Sequence, residues 1–171
     1  MAQNSNPNFD RGLKKVLSRL ENTIERDALI TEVTSRLRHT FNVDRVVLYY
    51  FYSQWDGQVT FESLSSEKWS ILGSTGPDEC FNDGYADLYL QGRVRAISDI
   101  EAEPIADCHR DFLRSLQVRA NLAAPILTDK GLWGLLIAHH CQAPRVWSSS
   151  DINMMQVEAK NLALAPSICE T

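Results

Sequence analysis

Two cysteines have neighbours that could give their thiols chemistry. Cys108 is followed directly by His109, which places an imidazole base beside a nucleophilic thiol in the sequence. Cys80 lies in the run Asp78-Glu79-Cys80-Phe81, with a carboxylate two residues before its thiol. No cysteine pair has the C-x-x-C spacing, so a zinc site accounts poorly for this pattern. The pattern favours a pocket built around a reactive, conjugated ligand.

Composition narrows the class of partner. The chain has 171 residues, of which 44% are hydrophobic and 23% charged, which is ordinary for one globular domain with a single core. Its formal net charge is -5 and its pI is near 5.3, whereas a partner such as nucleic acid or an anionic membrane needs a basic surface. We therefore expect the partner to be a small molecule or another protein.

The sequence also predicts a compartment. No apolar run approaches the roughly 20 residues of a membrane span, and residues 1–11 are too polar for a signal peptide. A cytoplasmic location is expected, and in that reducing compartment the four cysteines are predicted to be thiols rather than disulfides. No bound metal is expected.

Hydrophobic periodicity predicts a single α+β domain around an antiparallel sheet. Apolar residues recur at three- and four-residue spacing near both ends of the chain, and the first of these stripes is predicted to bury Val16. β-branched and aromatic runs separated by turn residues predict hairpin strands between the helices. The predicted elements are helices at 13–24 and 29–39, strands at 45–52 and 58–64, a loop at 65–83, a helix from 82 or 83 to 90, a strand at 95–97, a helix after Cys108, strands at 120–127 and 132–140, and a helix with a cap at 148–151 that Pro166 terminates.

Three sequence features together resemble bilin-binding GAF domains of the phytochrome superfamily. They are Cys108-His109, where that family attaches its tetrapyrrole, the Asp78-Glu79-Cys80-Phe81 motif, and the run from Val118-Arg119-Ala120-Asn121 through Leu132-Trp133-Gly134 to Ala143-Pro144-Arg145. The Asp-x-Cys-Phe motif is similar to that of one branch, the dual-cysteine cyanobacteriochromes. The resemblance covers about residues 24–164. It implies a GAF fold, with terminal helices packed on one face of a central antiparallel sheet and a chromophore pocket on the other.

The resemblance implies a role for each candidate residue. Cys108 would form the permanent thioether to ring A of the bilin, and His109 would pack against the pyrrole plane. Cys80 would add reversibly to the central methine bridge, giving a dark state that absorbs violet or blue light and a photoproduct that absorbs green to orange, or teal, light. The other implied chromophore contacts are Asp78 to the pyrrole N–H groups, Arg93 to a propionate, His139 to the ring D carbonyl, and Phe81 beside Cys80. Because strand side chains alternate, only one of His139 and His140 is expected to face the pocket.

The family also implies a cofactor and partners. The expected cofactor is phycocyanobilin, its isomer phycoviolobilin, or both. Light-driven Z/E isomerisation would make the domain a sensor and not a turnover enzyme, apart from self-catalysed attachment and isomerisation of the bilin. The chain would be an excised module, with neighbouring output domains of histidine kinase, cyclase or chemotaxis type. The terminal helices could also support a homodimer.

The sequence leaves three alternatives. Gly76 stands where red/green relatives carry a ring-stacking tryptophan, which favours the blue-absorbing branch over a single-cysteine photochromic domain absorbing at longer wavelength. Cys108 could instead be incidental in a GAF domain that binds a diffusible ligand such as a cyclic nucleotide. A cysteine-dependent hydrolase or reductase could use Cys108 with His109 or His139, but no Asn or Asp that would orient the base is evident.

Overall fold

A computed structural model describes residues 7–76 and 83–171 of the chain. Each helix and strand predicted from the sequence is present among them. None of the described helices is both long enough and apolar enough to cross a lipid bilayer. The elements are α1 (Pro7–Glu25), α2 (Ala28–Phe41), β1 (Arg45–Ser53), β2 (Asp56–Leu64), a 3-10 turn (Glu67–Trp69), α3 (Asp83–Leu90), β3 (Arg95–Ile97), α4 (Asp107–Ser115), β4 (Ala120–Thr128), β5 (Gly131–His140), α5 (Ser149–Leu162) and α6 (Pro166–Cys169).

The strands form one antiparallel sheet in the order β2-β1-β5-β4-β3. Val47 in β1 lies opposite Glu62 in β2 on one side and opposite Ile137 in β5 on the other. β5 pairs in turn with β4, where Asn121 lies opposite His139. Side chains that are distant in the sequence therefore meet on the central strands β1, β5 and β4.

The two faces of the sheet have different environments, because successive side chains of a strand point to opposite sides. On one face Val46 and Leu48 of β1 and Leu136 of β5 pack with α2 and α5 in a core from which solvent is excluded. On the other face Val47 and Tyr49 of β1 line a cavity. The predicted α+β architecture, with terminal helices on one face of an antiparallel sheet and a pocket on the other, is confirmed.

Local capping signals explain where the main helices begin and end. The Asp27 carboxylate accepts a hydrogen bond from the backbone N–H of Leu29 at 3.1 Å and starts α2. Asn42 ends α2 in the left-handed region with φ of 52°, which its short polar side chain tolerates. Ser148 and Asp151 form a reciprocal capping box at the start of α5, where the sequence predicted a cap.

The bounds of two helices differ from the sequence prediction. α4 begins at Asp107, so Cys108 and His109 lie in its first turn and do not precede it. α5 ends at Leu162, before the proline is reached, and Pro166 is the first residue of α6. A proline suits this position because the first N–H of a helix has no partner within the helix. Pro166 therefore starts a helix and does not terminate α5.

The predicted burial of one valine is wrong. Val16 in α1 is 56% exposed. The buried stripe of α1 consists of Leu17, Leu20 and Ile24, which face the rest of the domain. Val16 precedes Leu17 by one residue and is therefore rotated about 100° away from that stripe. Spacing alone did not show which of two adjacent apolar residues the helix buries.

Gly134 allows β5 to approach β1 closely. It lies opposite Tyr50, and a Cβ atom at this position would lie 2.0 Å from the carbonyl oxygen of Tyr49. We expect Gly134→Ala to lower the free energy of unfolding by about 1–3 kcal/mol or more in urea denaturation, because the central strands would have to separate. As a control, Gly12→Ala in α1 meets nothing within 4 Å and should raise stability by about 0.5–1 kcal/mol. Equal stabilities of the two variants would contradict this account.

Candidate functional site

A cavity lies on the face of the sheet opposite the helical core. Its floor is formed by side chains of β1, β4 and β5, and it is bordered by α4 and by residues 71–76. It contains about 770 Å³ of empty space, including its open mouth. Concave, mostly apolar sites of this kind are where small organic ligands usually bind.

Aromatic side chains form much of the cavity wall. The rings of Tyr49 and Phe51 meet edge to face with their centroids 5.4 Å apart. Those of Phe51 and Trp55 have the same geometry with a centroid distance of 5.6 Å. Phe112 of α4 and Tyr89 of α3 add further rings. Aromatic walls of this kind favour a flat, conjugated ligand. Tyr49 and Phe51 were not identified as site residues from the sequence, although they occupy alternate positions of one strand.

Cys108 and His109 lie in the first turn of α4. His109 is half-buried and lines the cavity, whereas Cys108 is exposed and is not one of the lining residues. Cys108 is disulfide-bonded, so the prediction that all four cysteines are thiols is wrong for this residue. The start of this helix is held by Arg110, whose guanidinium donates to the carbonyls of Ile100 at 2.8 Å and Glu103 at 3.0 Å. These bonds fix the turn that carries the cysteine at the edge of the cavity.

His139 of β5 also lines the cavity and is only 2% exposed. Its Nδ1 accepts a hydrogen bond from Nε of Arg45 at 3.0 Å. Burial, to which the charge of Arg45 adds, holds the pKa of His139 well below its usual range, so the ring is neutral at physiological pH. His140 is not a lining residue, and its Nδ1 lies 3.7 Å from a carboxylate oxygen of Asp44.

Tyr49 ties the cavity floor to the segment that precedes residue 77. The N–H of Gly76 donates to the Tyr49 hydroxyl at 3.1 Å, and this hydroxyl lies 3.5 Å from the Gly76 carbonyl. Burial raises the pKa of Tyr49 to about 12, so the hydroxyl keeps its proton at physiological pH. Gly57 leaves room for this ring, since a Cβ there would lie 2.6 Å from it. The segment at 71–76 is thus held against the sheet two residues before Asp78.

The structure brings together two of the predicted site residues. His109 and His139 share one cavity, while Arg93 lies between α3 and β3 and is not a lining residue. The predicted residues Asp78, Cys80 and Phe81 fall outside the described residues. Within 7–76 and 83–171, no group of three His, Cys, Asp or Glu side chains could hold a metal ion.

Comparison with known sequences identifies one family and several relatives. The family described as GAF domain matches residues 25–165. An uncharacterized protein of Picosynechococcus sp. is 51% identical over 91% of this chain and 95% of its own length. In Synechocystis sp., a putative methyl-accepting chemotaxis protein is 35% identical over 83% of this chain, and a circadian input-output histidine kinase is 33% identical over 90% of it. The matched regions are 14% and 24% of those two proteins, so this chain corresponds to one part of each.

Comparison with solved structures gives the same result. The blue-light absorbing form of the Thermosynechococcus elongatus PixJ GAF domain aligns with a TM-score of 0.74 and 35% identity, over 82% of this chain and 83% of that one. The phycocyanobilin-bound GAF domain from a cyanobacterial phytochrome aligns with a TM-score of 0.72 and 28% identity, over 88% of this chain and 91% of that one. Both share the arrangement of sheet and helices described above.

Proposed function

This chain belongs to the GAF domain family, and we propose that it is a photosensory module that binds a linear tetrapyrrole covalently. The observation that carries the proposal is the aromatic-walled cavity to which His109 and His139 both contribute, with Cys108 beside His109 on α4. Two relatives support it, because one is a blue-light absorbing domain and the other binds phycocyanobilin.

The residues of the cavity fit such a ligand. A linear tetrapyrrole is flat and conjugated, and the rings of Tyr49, Phe51 and Trp55 offer it matching surfaces. His139 and Asn121 offer polar groups from adjacent strands, as expected of a mainly apolar pocket with a few orienting side chains. When bound, a bilin supplies absorption of visible light and a Z/E isomerisation between rings C and D. The protein holds it, orients it and shields it from water.

Individual residues then have distinct roles. Cys108 forms the permanent thioether from the first turn of a nine-residue helix. His109 packs against the pyrrole plane, and His139 donates a hydrogen bond to the ring D carbonyl. Asp78 accepts hydrogen bonds from pyrrole N–H groups and Arg93 binds a propionate.

The second cysteine acts as the colour switch. Cys80, with Phe81 beside it, forms a reversible thioether that shortens the conjugated system and gives a violet- or blue-absorbing dark state. Loss of this bond after isomerisation gives the green-to-orange or teal photoproduct. Support comes from the Asp-x-Cys-Phe motif and from the 35% identity to a blue-light absorbing domain. The bilin is phycocyanobilin or its isomer phycoviolobilin.

The signal is passed to other domains of a larger receptor, since the chemotaxis and kinase relatives extend well beyond the matched region. The chain itself is a sensor and does not turn over a substrate. α1 transmits the signal to those domains and is a candidate homodimer contact. Two of its apolar side chains face solvent, since Phe9 is 66% exposed and Val16 is 56% exposed.

The test is to express the chain together with enzymes that make phycocyanobilin and to record absorption in darkness and after blue light. We expect a coloured protein whose violet or blue dark band falls on irradiation while a longer-wavelength band appears. The chain expressed without those enzymes is the control. A colourless protein would favour a diffusible ligand, whereas a photochromic dark band at long wavelength would favour the single-cysteine type.

A further inference from the structure

Arg45 is a buried cation whose hydrogen-bond acceptors, among the described residues, are all uncharged. Its side chain is inaccessible to solvent at the start of β1. It donates to the carbonyl oxygen of Trp69 at 2.9 Å, to that of Leu116, and to Nδ1 of His139 at 3.0 Å. Removing a guanidinium from water is costly when no carboxylate accepts a hydrogen bond from it, and none of the described carboxylates does so. Arg45 is therefore not explained as a stabilising ion pair.

The bond from Arg45 determines where His139 carries its proton. An arginine N–H can only donate, so Nδ1 of His139 must present its lone pair. A neutral imidazole with an accepting Nδ1 carries its hydrogen on Nε2. A protonated ring would instead direct an N–H at the N–H of Arg45 and place two cations in contact. The arrangement thus excludes both the other neutral tautomer and the charged form.

The other side of the ring faces the cavity. His139 is one of the lining residues, and within the described part of the chain its ring makes no hydrogen bond except the one from Arg45. Asn121 lies directly opposite on β4 and also lines the cavity, and His109 approaches from α4. The proton on Nε2 is therefore available to a ligand.

We propose that Arg45 is a positioning residue that locks His139 as a neutral Nε2–H donor, so that β5 always offers the ligand a hydrogen-bond donor. The ligand group at this point is consequently an acceptor such as a carbonyl. Insofar as that ligand is a bilin, the inference rests on the proposed function. The tautomer itself belongs to the protein and can be measured without any ligand.

Other charged groups surround the pair without forming direct bonds to His139. Asp44 of the α2–β1 turn and Glu62 of β2 act on Arg45 through their charges, and each favours its cationic form. Burial lowers the pKa of Arg45, but a guanidinium titrates so far above neutrality that it remains charged. The donor therefore persists across the physiological pH range.

The test is ¹⁵N NMR of the full chain labelled on histidine, recorded once without bilin and once with bilin bound. A ring nitrogen that carries hydrogen has a ¹⁵N shift well separated from that of a bare one. The His139 signals are assigned by their loss in His139→Gln. In wild type we expect a protonated Nε2 and a bare Nδ1 from about pH 8 to about pH 5.5. In Arg45→Met we expect His139 to titrate within this range and to populate the Nδ1–H tautomer.

Two further variants separate positioning from a purely structural role. Arg45→Lys keeps a cation and a donor and should preserve the Nε2–H signature even if it lowers stability. Arg36→Met removes an exposed arginine of α2 and should leave His139 unchanged. In the bilin-loaded protein, the wavelength of the dark absorption band should change with pH in Arg45→Met and should not change in Arg45→Lys.

The inference and the proposed function fail in different ways. Two results would overturn the role of Arg45, whether or not bilin binds. One is a hydrogen on Nδ1 of His139 in wild type, and the other is a set of His139 ¹⁵N shifts that are the same in folded Arg45→Met as in wild type. If Arg45→Met does not fold, the wild-type tautomer and its retention in Arg45→Lys decide the question. A colourless protein with the expected tautomer would contradict only the bilin proposal.

Discussion

Cys108→Ala is expected to abolish covalent attachment of bilin. After co-expression with bilin-synthesis enzymes, denaturing gels of wild type should show zinc-induced bilin fluorescence in the protein band, and those of the variant none. The reason is positional, because Cys108 immediately precedes His109, which lines the cavity from the first turn of α4. Alanine suits a helix, so the variant should remain folded, which its circular dichroism would verify.

Neither of the two free cysteines in the described part of the chain can replace Cys108. Cys141 is buried, and burial raises the pKa of its thiol to about 11, which leaves little thiolate at neutral pH. Cys169 is exposed, but α6 packs through Ile168 into the core on the helical side of the sheet. Cys169→Ala is therefore the matched control and should retain full fluorescence. Fluorescence in Cys108→Ala equal to that of Cys169→Ala would show that the attachment site is elsewhere.

The sequence predicted the elements of this fold because their signals are local. The aromatic and β-branched run from residue 45 favours a strand, and Ser148 with Asp151 favours a helix start whatever the rest of the chain does. Val16 shows where local information ends. Its burial depends on which side of α1 meets the rest of the domain, and that side is determined by residues far along the chain.

The polar framework of the site could not be predicted for the same reason. Arg45 begins a strand and resembles any solvated strand-end arginine, yet its acceptors are 24, 71 and 94 residues away in the sequence. The Tyr49 bonds to Gly76 span 27 residues and have no local pattern. By contrast, strand alternation was enough to predict that only one of His139 and His140 faces the cavity. Periodicity gives the face on which a residue lies, but the fold determines its partner.

Cys80→Ala is expected to keep the covalent adduct and to move the dark absorption band out of the violet and blue. Without the second thioether, the conjugated system is uninterrupted in darkness, so the protein should absorb only at longer wavelength. Zinc-induced fluorescence should equal that of wild type because Cys108 is intact. The measurement is an absorption spectrum of the bilin-loaded variant, recorded in darkness and after irradiation into its own dark band.

The neighbouring substitution Glu79→Ala is the control for this prediction. It changes the same motif without removing a thiol, and its dark band should remain violet or blue. Because Tyr49 and the sheet hold residues up to Gly76 in place, both variants should bind bilin to the same extent. A Cys80→Ala dark band at the wild-type position would show that Cys80 has no part in the colour switch. Bilin attachment at Cys108 would be unaffected by that result, since the two bonds are formed by different thiols.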